Sequence, residues 1–482
     1  MSMSAPATTA EQPPAPSASA PADGLRSARV ALGVLFVVYF FSSIDRSIVG
    51  ILAQPIKEEL LLTDTQLGFL TGFAFSAVYM LFGLPMARIA DRGRRVNILA
   101  FCVAFWSIMT ALCGMSVNFT QLCLARMGVG VGEAGCLPTS HSLISDYFPL
   151  SHRTKALAIY GLGYPAGALA GSVVGGFVLD HWGWRAAFYV VGLPGLLVAL
   201  ATWRIVREPR RGQFDAADAT GSAIAGPLSF REVGALIWGS PVLRHMLFAL
   251  TFLAVFCSPT ATFLGAFLVR KFHISYTEVG VIFGMSMMLA ASISTLFGGI
   301  IVQHLARREQ RWLLWFPAIT ASAGMPFYVV ALLQESPYAL GGWLFFGALL
   351  NATYLAPCYT VLYSVIPPGG RAKAAVIVSI LLGLVGQSVG PLLAGMASDL
   401  IAADLFGSGF AAACPGGMAP RGAAAALDVA CRGAVVDATQ IVLVATMLIT
   451  VWPAFHFYLA ARRMTPRPTV PERSSSQVKE PQ

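Results

Sequence analysis

The chain has 482 residues, of which 56% are hydrophobic and only 11% charged. A soluble protein carries about a quarter charged residues, so this composition excludes an aqueous surface and makes lipid the solvent for most of the chain. The formal net charge of +9, from 32 Lys and Arg against 23 Asp and Glu, suits a nucleic-acid binder only if the cations cluster, and their positions say otherwise.

Residues 1–28 come first. Ala, Pro and Ser dominate up to residue 24, with no basic start followed by an apolar run, which predicts a disordered tail rather than a signal peptide. Apolar windows of about 20 residues, enough to cross a bilayer core of about 30 Å, then recur along the chain. They predict spans at 30–52, 67–87, 96–116, 119–144, 155–179, 186–204, 246–268, 279–303, 312–333, 339–364, 374–398 and 438–460. A polar stretch separates six spans from six. The expected organisation is an N-terminal bundle over 29–206, a cytoplasmic linker over 207–243, a C-terminal bundle over 244–462 and a tail over 463–482. Within the linker, 227–241 is long enough for a surface helix, though Gly234, Gly239 and Pro241 weaken it. The expected fold class is an all-α membrane protein with twelve transmembrane helices in two six-helix bundles.

With both termini in the cytoplasm, 24 Lys and Arg fall inside and 6 outside, while Arg46 and Arg126 lie within spans. That asymmetry is the signature of membrane topology. The cations are spent on orientation in an inner or plasma membrane, and no nucleic-acid partner is expected. Six of the eight cysteines lie in spans, where they act as small apolar residues. Cys414 and Cys431 share the outer loop 399–437 on an oxidising side, and both a disulfide and two free thiols stay open.

The halves repeat. Pro149, Arg153, Lys155 and Ala156 after span 4 match Pro367, Arg371, Lys373 and Ala374 after span 10, each displaced by 218 positions. Duplicated halves around a midplane site are the common plan of secondary carriers. The loop between spans 2 and 3 runs from Gly83 to Asp91-Arg92-Gly93-Arg94-Arg95. Here the chain resembles the major facilitator superfamily, whose loop motif has an Asp-Arg pair followed by a basic residue. Gly93 falls one place early and Ala87 stands where the motif has Gly. A short charged loop can pin one half to the other, with Asp91 near a helix N-terminus of the opposite half and Arg92 and Arg95 holding it. That reading makes Asp91, Arg92 and Arg95 an inner latch; a basic loop that only obeys topology is the plainer reading.

Span 4 reads Arg126-Met-Gly-Val-Gly-Val-Gly-Glu133-Ala134, and span 1 contains Asp45-Arg46. An ionisable residue at mid-span costs about 2.5–3.5 kcal/mol on insertion scales, so four of them need a reason. Asp45 with the Arg-x6-Glu of span 4 resembles the spinster branch of that superfamily, which implies export of lysolipid or sphingolipid substrates. Residues seven apart share a helix face, about 10 Å apart along the axis. Asp45 and Arg126 fall at similar depth, with Glu133 nearer the cytoplasm. Proton coupling through Asp45, Arg126 and Glu133 follows if Arg126 swaps between the two carboxylates; a static packing network and direct substrate binding are the alternatives. Arg46 either enters the cavity or extends towards the outer headgroups.

The C-terminal half lacks these charges. The 218-residue displacement turns Arg126 into Leu344 and Glu133 into Asn351. An apolar wall with Ser258, Thr260, Asn351, Tyr354, Ser379 and Gln387 suits an amphipathic substrate whose head sits near the span 1–4 cluster. The expected function is a secondary transporter, not an enzyme, that works by alternating access. It would be proton-coupled, for an amphipathic or lipid-like substrate, with a drug or organic-anion/proton antiporter as the alternative. Remoter classes are a transporter-like sensor and a membrane-embedded acyltransferase using His141 and Asp146. The expected partners are substrate, protons and membrane lipids, with no cofactor or metal, and the expected state is a monomer.

Overall fold

The computed structural model describes residues 22–212 and 228–464, apart from 352 and 421. The expectations for residues 1–21, the middle of the linker and the tail beyond 464 lie outside the described residues. All regular structure among the described residues is helical. The first helix, α1, runs Ala22–Leu60. Residues 22–28, expected in the tail, are therefore helical, because Ala28 is buried in the same core as Ala31 and Leu32.

The remaining spans follow in order: α2 (Asp64–Ala90) and α3 (Arg95–Met115), then α4, Phe119–Ala134 continued by Cys136–Tyr147. Next come α5 (155–182) and α6 (184–205), joined at Gly183, whose φ of 80° favours glycine. The second half holds α7 (Pro241–Phe272), α8 (Tyr276–Arg308), α9 (Trp312–Leu332), α10 (Pro337–Val365), α11 (Lys373–Phe406) and α12 (Ala425–Arg463). Among the described residues ten runs meet the length and hydropathy of a crossing helix, one being the 51-residue run Lys155–Ile205 that holds both α5 and α6. Interrupted α4 completes the expected twelve. The N-terminal end of α7 lies at Pro241, earlier than expected, because Ser240 caps it by accepting from the Leu243 amide.

The linker does contain a surface helix, Phe230–Gly239. Ser229 and Glu232 form a reciprocal capping box at its start, and Val233 and Ile237 bury its inner face against the C-terminal bundle. Its two glycines are tolerated because packing, not propensity, holds it there.

The face that carries the turns 61–63, 183, 273–275 and 407–424 is the cation-poor one, and is called outer below. Hydrogen bonds join the two bundles at this outer end. Arg270 on α7 donates to Gln54 of α1 at 2.6 Å and to Asp64 of α2 at 2.9 Å. The side chain of Asp399 on α11 accepts from the amide of Asp64 at 2.9 Å. A disulfide joins Cys414, in the loop above this seam, to Cys431 in the first turns of α12, which begins earlier than the expected span. Three wide π-type turns interrupt the spans at Phe69–Phe73, Gly284–Leu289 and Leu381–Gln387, and the third brings Gln387 to the cavity described next.

Candidate functional site

Four charged side chains meet between α1 and α4 in the middle of the N-terminal bundle. The neighbours Asp45 and Arg46 leave α1 about 100° apart around its axis, so each finds a different partner on α4. Arg126 Nη1 lies 3.1 Å from Asp45 Oδ2, and Thr110 of α3 donates to Asp45 Oδ1 at 2.8 Å. One residue on along α1 and two turns along α4, Arg46 Nε lies 2.6 Å from Glu133 Oε2, and Ser42 donates to the same oxygen at 3.0 Å. The side chains of Asp45, Arg126 and Glu133 are 1%, 2% and 0% exposed, whereas Arg46 is 26% exposed. Two cations meet two anions, so the cluster is neutral when all four are charged. Burial is sustained because each charge is paired and hydrogen-bonded.

Local sequence explains the geometry. Gly130 and Gly132 let α4 approach its neighbours: a Cβ at Gly130 would stand 2.8 Å from the Phe75 carbonyl, and one at Gly132 2.8 Å from Trp106 Cβ. The Phe75 ring, held at that contact, serves both guanidinium groups, with Arg126 at 5.0 Å and Arg46 at 5.1 Å from its centroid; Arg46 also lies 4.5 Å from the centre of Tyr79. Two buried atoms of the cluster, Arg126 Nε and Glu133 Oε1, make no hydrogen bond.

A cavity of about 340 Å³ opens between the two bundles beside the cluster. Of the residues expected to line it, Arg46, Ser258, Tyr354 and Gln387 do. Thr260, Asn351 and Ser379 are not among the lining residues. Thr260 is turned into the bundle at 1% exposure. Asn351 stands behind the wall, its amide 3.5 Å from the sulfur of Cys257, and Cys257 lines the cavity instead. Sequence reasoning missed Thr71, Ser76, Tyr164 and Thr262, which also line it. All four are small or amphipathic residues in apolar runs, and nothing in their spacing sets them apart.

The structure decides the open choice for Arg46 and gives Arg95 other company than expected. Arg46 does not extend to the outer headgroups; it turns inward because Glu133 lies two turns below Arg126 on the face that α1 meets. Arg95 has other partners among the described residues. It is buried and held by Asp146 of α4, by Glu208 of the linker at 2.7 Å and by the Pro209 carbonyl at 3.1 Å. Arg95 thus fastens α3, α4 and the linker of one half together. Arg92 is exposed, and the side chain of Asp91 lies outside the described residues. Asp146 is engaged by Arg95 and the Gly212 amide, while His141 packs edge-on against Tyr160 at 5.5 Å between centroids, so the two are not arranged as an acyltransferase pair.

A sequence profile of the Major Facilitator Superfamily matches residues 35–419. The chain belongs to the major facilitator superfamily. Its relatives within the superfamily include an "MFS-type efflux pump" of Mycolicibacterium smegmatis, 32% identical over 79% of this chain and 87% of that protein. "Protein spinster homolog 1" of Xenopus tropicalis is 25% identical over 76% of this chain and 72% of that one. Among solved structures, a bacterial homologue of the human lysosomal transporter spinster, in an inward-facing and unoccupied conformation, superposes with a TM-score of 0.82. It is 30% identical and covers 91% of this chain and 97% of its own. The resemblance to the spinster branch, carried in the sequence by Asp45-Arg46 and the Arg126 to Ala134 run, therefore extends to the whole fold. The chain is an integral, multi-pass membrane protein of a transporter superfamily.

Proposed function

We propose that this chain is a secondary transporter working by alternating access, that it couples an amphipathic or lipid-like substrate to protons, and that Asp45, Arg46, Arg126 and Glu133 carry the coupling. The observation that supports this is the pair of arginine–carboxylate bridges between α1 and α4, each with its arginine at the cavity wall, with Arg126 Nε and Glu133 Oε1 left as a buried donor and acceptor without partners. Those are the atoms that a transfer of Arg126 from Asp45 towards Glu133 would use. A carboxylate that loses its arginine in a low dielectric takes up a proton more readily. Rocking of the halves would then alternate which carboxylate is paired and which is protonated.

Arg46 presents the cavity with a partly exposed cation, while Ala254, Ala261 and Pro391 supply apolar surface on the other side. An amphipathic anion fits that division, its head at Arg46 and its apolar part against the C-terminal bundle. The cavity of about 340 Å³ is at the small end of ligand sites. That volume, with the relative named as an efflux pump, favours the second reading, an antiporter for drugs or small organic anions. In either case both termini face the cytoplasm of an inner or plasma membrane, the chain acts as a monomer, and Asp91 and Arg92 latch the inner face in the opposite conformation.

The test is reconstitution into liposomes holding a pH-sensitive dye, challenged with lysophospholipids, cationic drugs and small organic acids. Wild type should move protons only with substrate, and Glu133→Gln and Asp45→Asn should each uncouple the two. Undiminished proton movement in both variants would return the cluster to static packing; flux without protons would leave a facilitator.

A further inference from the structure

The seam between the bundles at the outer end is built twice from one pattern. On α2, Thr65, Gly68 and Gly72 recur on α8 as Thr277, Gly280 and Gly284, each 212 positions later. On α5, Gly176 and Asp180 recur on α11 as Gly395 and Asp399, each 219 positions later. The halves exchange these parts across the seam: α11 of the second half meets α2 of the first, and α5 of the first meets α8 of the second.

The two contacts match atom for atom. Asp399 accepts from the amides of Asp64 at 2.9 Å and Thr65 at 2.8 Å, and from the Thr65 hydroxyl at 2.6 Å. Asp180 accepts from the amides of Tyr276 at 3.0 Å and Thr277 at 2.7 Å, and from the Thr277 hydroxyl at 2.6 Å. Each aspartate of one bundle thus satisfies otherwise orphaned amides at the first turn of a helix in the other, where the helix dipole favours an anion. The glycines make the approach close enough. A Cβ at Gly68 would overlap the Pro391 backbone and one at Gly395 the Asp64 backbone; a Cβ at Gly176 would overlap the Tyr276 backbone and one at Gly280 the Ser172 backbone.

The copies differ in their surroundings. The α2–α11 contact is continuous with a dry ionic knot. Asp64, 1% exposed, is bound by Lys57 at 2.5 Å, Arg270 at 2.9 Å and Ser398 at 2.7 Å. The disulfide-closed loop lies over it, with Gly416 packed on the Leu61 backbone and Gly417 beside Lys57. The α5–α8 contact has no such knot, and its hydrogen bonds are exposed to solvent. A charge pair in water is worth far less than one held dry.

We infer that Asp180 and Asp399 are the bolts of the outer gate, two copies of one aspartate-to-helix clasp, with the Asp399 clasp the stronger of the two. The inference rests on the alternating-access reading, since a clasp between rocking halves must break for the cavity to open outward. Opening costs six hydrogen bonds to aspartate, and it strips Asp64 of Arg270 and Ser398 on the α2–α11 side alone.

The native thiol of Cys257 reports the gate, because it lines the cavity and is partly exposed, while the other five free cysteines are buried. A membrane-impermeant maleimide is applied to right-side-out and to inside-out vesicles, with Cys257→Ser as the background. Wild type should label from the inner side. Asp399→Ala should raise the rate of labelling from outside about tenfold, the scale of one lost helix cap, and Asp180→Ala about threefold, as suits an exposed contact. Thr65→Val, which deletes only the hydroxyl bond, should give a rise of about twofold and serves if Asp399→Ala fails to fold. Outside labelling at the wild-type rate in folded Asp399→Ala, or in Thr65→Val where it stands in, overturns the clasp. A larger effect at Asp180 than at Asp399 overturns their order. Labelling needs neither substrate nor a proton gradient, so a liposome assay that finds no coupled transport leaves this result independent.

Discussion

The same helix contact occurs once in each bundle, charged in the first and neutral in the second. In the N-terminal half α1 meets α4 through Asp45 with Arg126 and Arg46 with Glu133. The 212-residue shift that carries the α2 seam onto α8 takes Asp45 to Cys257 and Arg46 to Ser258, and the 218-residue shift takes Glu133 to Asn351. The structure brings the counterparts of Asp45 and Glu133 side by side, with the Asn351 amide 3.5 Å from the Cys257 sulfur, a pairing the first half does not use. Duplication therefore preserved the meeting of the two helices, while the bonded pairs and their chemistry diverged. The second half holds its helices with a weak neutral bond. The first carries four charges at mid-span, three of them buried, at a cost of about 2.5–3.5 kcal/mol each on insertion scales.

The sharpest way to break this comparison is to unpair one bridge. Arg126→Leu leaves Asp45 buried with Thr110 as its remaining hydrogen-bond donor, and should cost about 3–5 kcal/mol, read as a large fall in the melting temperature of the purified protein. The double variant Asp45→Leu/Arg126→Leu should regain most of that stability and still fail to couple protons. If the double variant is no more stable than the single one, the pair is not the unit that holds α1 to α4.

A smaller effect separates the halves from the other side. The second bundle has a covalent staple, Cys414–Cys431, 17 positions apart. Removing it as Cys431→Ser should cost about 3 kcal/mol, the scale for a loop of this length. Reductant should lower the melting temperature of wild type and leave that of the variant unchanged; equal shifts in both would mean the staple is not what reductant acts on. The smallest effect belongs to the neutral counterpart. Asn351→Ala should cost about 1 kcal/mol, as for one hydrogen bond, and leave the ratio of protons to substrate as in wild type. A changed ratio would show that the C-terminal half shares in coupling.

The charge asymmetry and the apolar windows made the twelve spans legible, since a bilayer demands about 20 apolar residues per crossing whatever the packing. Legible too was the pairing of Asp45 with Arg126, because depth within a span can be counted along a helix. The partner of Arg46 was not, since the rotation of α1 about its axis is set by the Gly-rich face of α4 and not by α1 itself. The described partners of Arg95 were out of reach for a similar reason: Asp146 and Glu208 stand 51 and 113 positions away. Nothing in the local sequence of Asp180 or Asp399 points to a partner, and only their shared spacing from Gly176 and Gly395 marks them as copies.

What the sequence determined by itself is the solvent, the number of crossings, the duplication and the presence of charges that lipid would not tolerate unpaired. Each is a property of composition or of distance along one chain. The tertiary structure alone decided which arginine holds which carboxylate, which polar residues reach the cavity and where one bundle grips the other. Those depend on helix rotation and on backbones meeting at glycines far apart in sequence, and a hydropathy pattern carries no record of either.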